Sequence, residues 1–216
     1  MKLRISTPLT ILHAALIVVS ADLAVAETLD FESVPVGTSY GGSDGHNPGD
    51  IVLMEDDIVM SVESFASTAG AIFGQAVVGG DYMPFFQSTP LQMNNIDARF
   101  DFTGLDLPVG ILRLEFRDFG GTVDFSLNDG TRYILDDLTD LPSVPEPGYE
   151  TVVVPPISFN GFGVLTIYGF GIESVQLGGQ ELVVDRVIAT TVPEPATALL
   201  MALGAGAMLR RRRRLG

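Results

Sequence analysis

The sequence predicts an all-β protein built as an antiparallel β-sandwich, and three observations carry that prediction. Between residues 27 and 191, short runs rich in β-branched and aromatic residues recur at 28–32, 58–65, 96–102, 111–116, 122–127, 132–135, 151–154, 164–170, 172–177 and 182–190. Gly, Pro, Asn and Asp separate them, the residues that tight turns require. No stretch of the same region sustains the 3.6-residue apolar period of a helix.

The elements follow in order. At the N-terminus, Lys2 and Arg4 precede an apolar stretch at 9–19, and Ala24-Val25-Ala26 supplies the small-x-small pattern of a signal peptidase site. Residues 1–26 are therefore expected to be a signal peptide cleaved after Ala26, which discards His13; an uncleaved N-terminal anchor is the alternative. Residues 27–191 form the sandwich domain, long enough for one substantial core. Within it, 122–127 alternates with period two: Val123, Phe125 and Leu127 point one way, and Thr122, Asp124 and Ser126 the other, as in a half-buried strand. Asn128-Asp129-Gly130 then closes a hairpin into 131–135. Many short strands at this spacing favour a sandwich over an alternating α/β fold.

The last 25 residues, 192–216, differ from everything before them. Val-Pro-Glu-Pro is followed by an apolar run at 196–209 and then by Arg210, Arg211, Arg212, Arg213 and Arg214. Pro193 and Pro195 hold the backbone extended, so a helix begins only after them. Fourteen helical residues span about 21 Å, short of a hydrocarbon core of about 30 Å. Snorkelling arginines or local thinning of the bilayer make up the difference. The arginines are expected on the cytoplasmic side of a single transmembrane helix. Tripeptide, apolar helix and basic cluster in this order resemble the PEP-CTERM sorting signal of Gram-negative bacteria that make extracellular polysaccharide, with Pro193, Glu194 and Pro195 as its tripeptide. That resemblance implies processing by exosortase near the tripeptide, from an inner-membrane precursor to the cell surface or extracellular matrix.

Between the two targeting segments, 25 acidic residues face 5 arginines and no lysine, a net charge near −20. Such a chain repels nucleic acid and anionic membrane surfaces, and suits divalent cations or neutral glycans. Cysteine is absent, which excludes disulfides and thiolate chemistry.

The segments Leu29-Asp30-Phe31-Glu32 and Leu182-Val183-Val184-Asp185-Arg186-Val187 resemble the first and last strands of galactose-binding-like and carbohydrate-binding jelly rolls. The resemblance implies that these strands pair and that Glu32 and Asp185 ligate a structural calcium ion, with Asp30 a weaker candidate.

Other motifs lead to less. Residues 44–55 carry part of an EF-hand spacing, but His46 and Pro48 occupy ligand positions and no helix flanks the segment, so a surface loop is expected. His46 is the last histidine after processing, and neither GxSxG nor HExxH accompanies it. Glu55-Asp56-Asp57 and Asp136-Asp137 supply carboxylates of the type used in glycoside hydrolysis, but they sit beside turns, where acids are ordinary. A second Val-Pro-Glu-Pro at 144–147 has no apolar run after it and reads as a proline-rich connector.

Two classes of function remain open: an exported noncatalytic sandwich associated with extracellular polysaccharide or biofilm matrix, and a secreted hydrolase acting on glycans through a carboxylate pair. A matrix protein without any ligand is indistinguishable from the first at this level.

Overall fold

A computed structural model describes residues 24–67, 69–79, 88–158 and 161–193. The strands, in chain order, are β1 (Ala26–Asp30), β2 (Ser39–Gly41), β3 (Ile51–Glu55), β4 (Ile58–Ser67), β5 (Gly70–Ile72), β6 (Gln75–Val78) and β7 (Leu91–Asn94). They continue with β8 (Ile96–Asp101), β9 (Val109–Asp118), β10 (Val123–Leu127), β11 (Tyr133–Leu135), β12 (Glu150–Val154), β13 (Gly163–Ile172), β14 (Ser174–Gly179) and β15 (Leu182–Thr191). No α-helix occurs among the described residues, and none of their helical turns is long and apolar enough to cross a membrane. The expected signal peptide and the expected span at 196–209 lie outside the described residues, except for Ala24, Val25 and Ala26.

One sheet runs β12-β13-β9-β15-β7-β6-β2 with β1 also on β15, and the other runs β11-β10-β14-β8-β4-β3 with β5 on β4. All these pairings are antiparallel. A single apolar core, including Leu29, Phe31, Phe100, Leu114, Phe116, Phe125, Leu177 and Val187, draws on both sheets, which makes the architecture a sandwich. Fully burying one such side chain stabilises the fold by about 1.5–3 kcal/mol.

β15 organises the first sheet. β9 lies along one side of it; on the other side β7 pairs with Leu182–Val184 and β1 with Arg186–Thr190, so β7 and β1 lie end to end. The first and last strands pair, as the jelly-roll resemblance implies. Asp185 falls at the junction, and the register against β9 steps from Val184↔Phe116 to Arg186↔Glu115. Asp185 is thus the extra residue of a β-bulge.

The hairpin at Asn128-Asp129-Gly130 is present: β10 pairs with β11, and Asn128 and Asp129 adopt φ 50° and 56°. Positive φ at both central positions matches the right-handed strand twist, and Asn and Asp tolerate it.

Two expectations change. β10 is not half-buried: Asp124 and Ser126 are as inaccessible as Val123, Phe125 and Leu127. The structure lays Arg132 and the end of β4 over the face that period-two reading assigns to solvent. Residues 44–55 are not simply a loop, because Ile51–Glu55 forms β3, paired with β4. Its alternation is too weak to show in sequence, since Ile51 and Met54 are exposed.

Candidate functional site

The root of the C-terminal tail is built into the sandwich. The Thr191 amide donates to the Val25 carbonyl at 2.8 Å, and the Val192 amide donates to the Pro108 carbonyl at 2.8 Å. Val192 packs on Gly110, where an added Cβ would lie 2.5 Å from Val192 Cγ2. Pro193 is buried, while Glu194, Pro195 and the arginines 210–214 lie outside the described residues. Because Ala26 pairs with Thr190, the chain enters and leaves the sandwich at the same end. The segments before residue 24 and after residue 193 therefore attach side by side. Residues 191–214 match the PEP-CTERM protein-sorting motif.

The PEP-CTERM match covers the tail alone, and it supports an exported protein processed by exosortase from a membrane-anchored precursor. No curated protein and no solved structure matches the chain.

Glu32 and Asp185, the expected calcium ligands, are brought to the junction between β1 and β7. Glu32 accepts from Thr89 twice, at 2.8 Å from the amide and 3.1 Å from the hydroxyl, and so ties the end of β1 to the start of β7. Asp30 is turned toward the backbone, accepting from the Glu32 amide at 3.0 Å. Asp185 is buried, and burial raises its carboxyl above the usual range despite a Ser88 hydrogen bond and the neighbouring Arg186. Its Oδ1 has no hydrogen-bond partner among the described residues. No group of three or more metal-binding side chains forms among the described residues.

The acidic doublets are turn chemistry. Asp56 and Asp57, at φ 48° and 61°, make the two-residue link between β3 and β4. Asp137 caps the short helical turn Leu138–Asp140 by accepting from the Thr139 amide at 2.7 Å. His46 accepts from the Gly41 amide at 3.5 Å and sits edge-on to Tyr40, a loop brace. The internal Val-Pro-Glu-Pro is a connector fixed at both sides: Glu146 accepts from the Thr131 amide at 2.6 Å, and the Pro145 carbonyl accepts from the Tyr133 hydroxyl at 2.6 Å.

A different carboxylate pair does come together. Asp97 on β8 and Asp124 on β10 flank Gly178 on β14, all on the outer face of the second sheet. Arg132 Nη2 donates to Asp97 Oδ2 at 2.5 Å, to Asp124 Oδ2 at 2.6 Å and to the Ser64 carbonyl at 2.7 Å. Gln176 adds a bond to Asp97 at 2.7 Å, and the Ala66 amide donates to Asp124. Burial pushes Asp97 up to about 7, outweighing Gln176 and Arg132, and raises Asp124 as well. Sequence reading misses this pair, since both aspartates stand at positions that alternation assigns to solvent and Arg132 covers them from the link between β10 and β11.

Two clefts open elsewhere. One, of about 520 Å³, lies over β6 and β7 and is lined by Ser43, Phe73, Gln75, Gln92, Asn94 and their neighbours. The other, of about 430 Å³, includes Phe102, Leu105, Pro108, Val109 and Phe170, beside the tail root. Neither is lined by Asp97 or Asp124.

Proposed function

We propose that the chain is an exported, noncatalytic β-sandwich delivered by the exosortase route and held in the extracellular polysaccharide or biofilm matrix of a Gram-negative cell. The observation that carries this reading is the PEP-CTERM motif continuing directly from the last strand of a closed sandwich. On this reading residues 196–209 anchor the precursor as a single transmembrane helix, with Arg210–Arg214 on the cytoplasmic side. A strongly acidic body stays soluble after release and avoids nucleic acid and anionic lipid. The jelly-roll version of the sandwich and calcium at Glu32 and Asp185 belong to this reading; the pairing of β1 with β15 supports the first, and the Oδ1 of Asp185, without a partner among the described residues, supports the second.

The test is co-sedimentation of the processed protein with the matrix polysaccharide of its own host. Loss of the protein from that fraction after enzymatic removal of the polysaccharide supports the reading. An unchanged distribution assigns the protein to a matrix role without a glycan ligand.

A glycan hydrolase is the second reading, favoured by one observation: Asp97, near 7, lies in the range suited to a general acid. Against it, Asp97 and Asp124 share one guanidinium nitrogen, an arrangement that leaves no room for a sugar between them. Release of reducing ends from host polysaccharide, abolished by Asp97→Asn, would establish the enzyme.

A further inference from the structure

The cleft over β6 and β7 is shaped by strand alternation. Gln75 pairs with Asn94 and Val77 with Gln92, while Ala76, Val78, Leu91 and Met93 turn into the core. Four side chains thus stand on the outer face as two cross-strand pairs, flanked by Ser43 and Phe73.

The rim is set rigidly. Asp44 Oδ2 accepts from Ser39 at 2.7 Å, from Gln75 Nε2 at 3.1 Å and from Ser43 at 3.2 Å, so this carboxylate beside the cleft is occupied in orienting Gln75. Those hydrogen bonds, Ser39 first and then Gln75, hold the Asp44 carboxyl below its ordinary range. Asn95 Nδ2 donates to Asn94 Oδ1 at 2.7 Å, which fixes one amide against the next. Gly74 lets the backbones close: a Cβ there would overlap the Asn94 carbonyl and lie 2.8 Å from that of Asn95.

Primary amides offer both donors and acceptors without charge, and that is what ligand hydroxyls require. Phe73 and Val77 add apolar surface for C–H faces. No arginine lines the cleft among the described residues, and a body charge near −20 opposes polyanions. Resting on the matrix-association reading, we propose that this amide-lined cleft is the glycan-binding site of the protein and that it takes a neutral saccharide rather than a uronate polymer.

The experiment is a glycan array carrying neutral and uronic-acid oligosaccharides, probed with the full-length chain in a detergent without a sugar headgroup. Gln75→Ala and Asn94→Ala are tested singly and together, each with a melting curve; Asn94 is exposed, so its substitution leaves the core intact. Binding to neutral glycans, reduced about tenfold by each single change, is the expected result. Wild-type binding that both variants retain overturns the cleft assignment and leaves matrix association standing. Binding confined to uronates overturns the neutral class. No binding to any glycan overturns the cleft as a glycan site and leaves a matrix role without a glycan ligand.

Discussion

Gly178 stands opposite Asp97 across β14 and β8, and its missing side chain is the space into which the Asp97 carboxyl fits. A Cβ at Gly178 would overlap Asp97 Oδ1 and lie 2.5 Å from the Ile96 carbonyl. A fully buried acid thus depends on a glycine eighty-one positions away in sequence and one strand away in space.

Gly178→Ala is expected to destabilise the protein by about 1–3 kcal/mol, the usual cost of forcing atoms into a packed site. Chemical denaturation measures it. Because the Ile96 carbonyl is backbone and cannot rotate away, Asp97→Ala in the same chain should recover only part of the loss.

The buried carboxyl also sets a pH dependence. Asp97 titrates near 7 in the fold, against about 3.9 in an unfolded chain. Between those values the folded state binds more protons than the unfolded one, so stability from this group is full below about pH 4 and falls as pH rises toward 7. The linkage is worth at most about 4 kcal/mol. Melting temperature should drop from pH 5 to pH 8, and Asp97→Asn should flatten that slope. An identical slope in the variant would assign the effect to the overall negative charge instead.

Replacing Pro193, Glu194 and Pro195 with alanines should block removal of the tail, leaving a precursor in the membrane fraction on immunoblots. Normal release would contradict a role for the tripeptide. N-terminal sequencing of the same material should begin at Glu27. A start at or before Val25 would show that the mature strand keeps the Val25 carbonyl that receives the Thr191 amide.

Calcium at Glu32 and Asp185 predicts a melting temperature raised by the ion and lowered by chelator, through preferential binding to the folded state. Asp185→Asn should abolish the response. A melting curve indifferent to chelator removes calcium from the account, leaving Glu32 as a tie to Thr89.

Much of the fold is legible locally. Every run between 28 and 190 read as a strand corresponds to a strand of the structure, from β1 to β15, because a period-two, β-branched segment bounded by turn residues has few other ways to fold. The strands that escape, β2, β3, β5, β6 and β7, are three to five residues long, and all but β3 carry Gly, Ser, Gln or Asn, so partners rather than propensity define them. The amide cleft escapes with them, since Gln75 and Asn94 meet only through the pairing of β6 with β7.

Sequence alone determined the route and the architecture: the sorting tail, the acidic cysteine-free body, the hairpin at Asn128-Asp129 and the turn role of the acidic doublets all follow from local pattern. Tertiary structure decided which polar side chains matter. Asp97, Asp124 and Asp185 stand in strands at positions that look ordinary, and each is buried by residues distant in the chain. Alternation assigns a side chain to one face of a sheet; whether that face meets water depends on what folds over it, and such contacts are nonlocal.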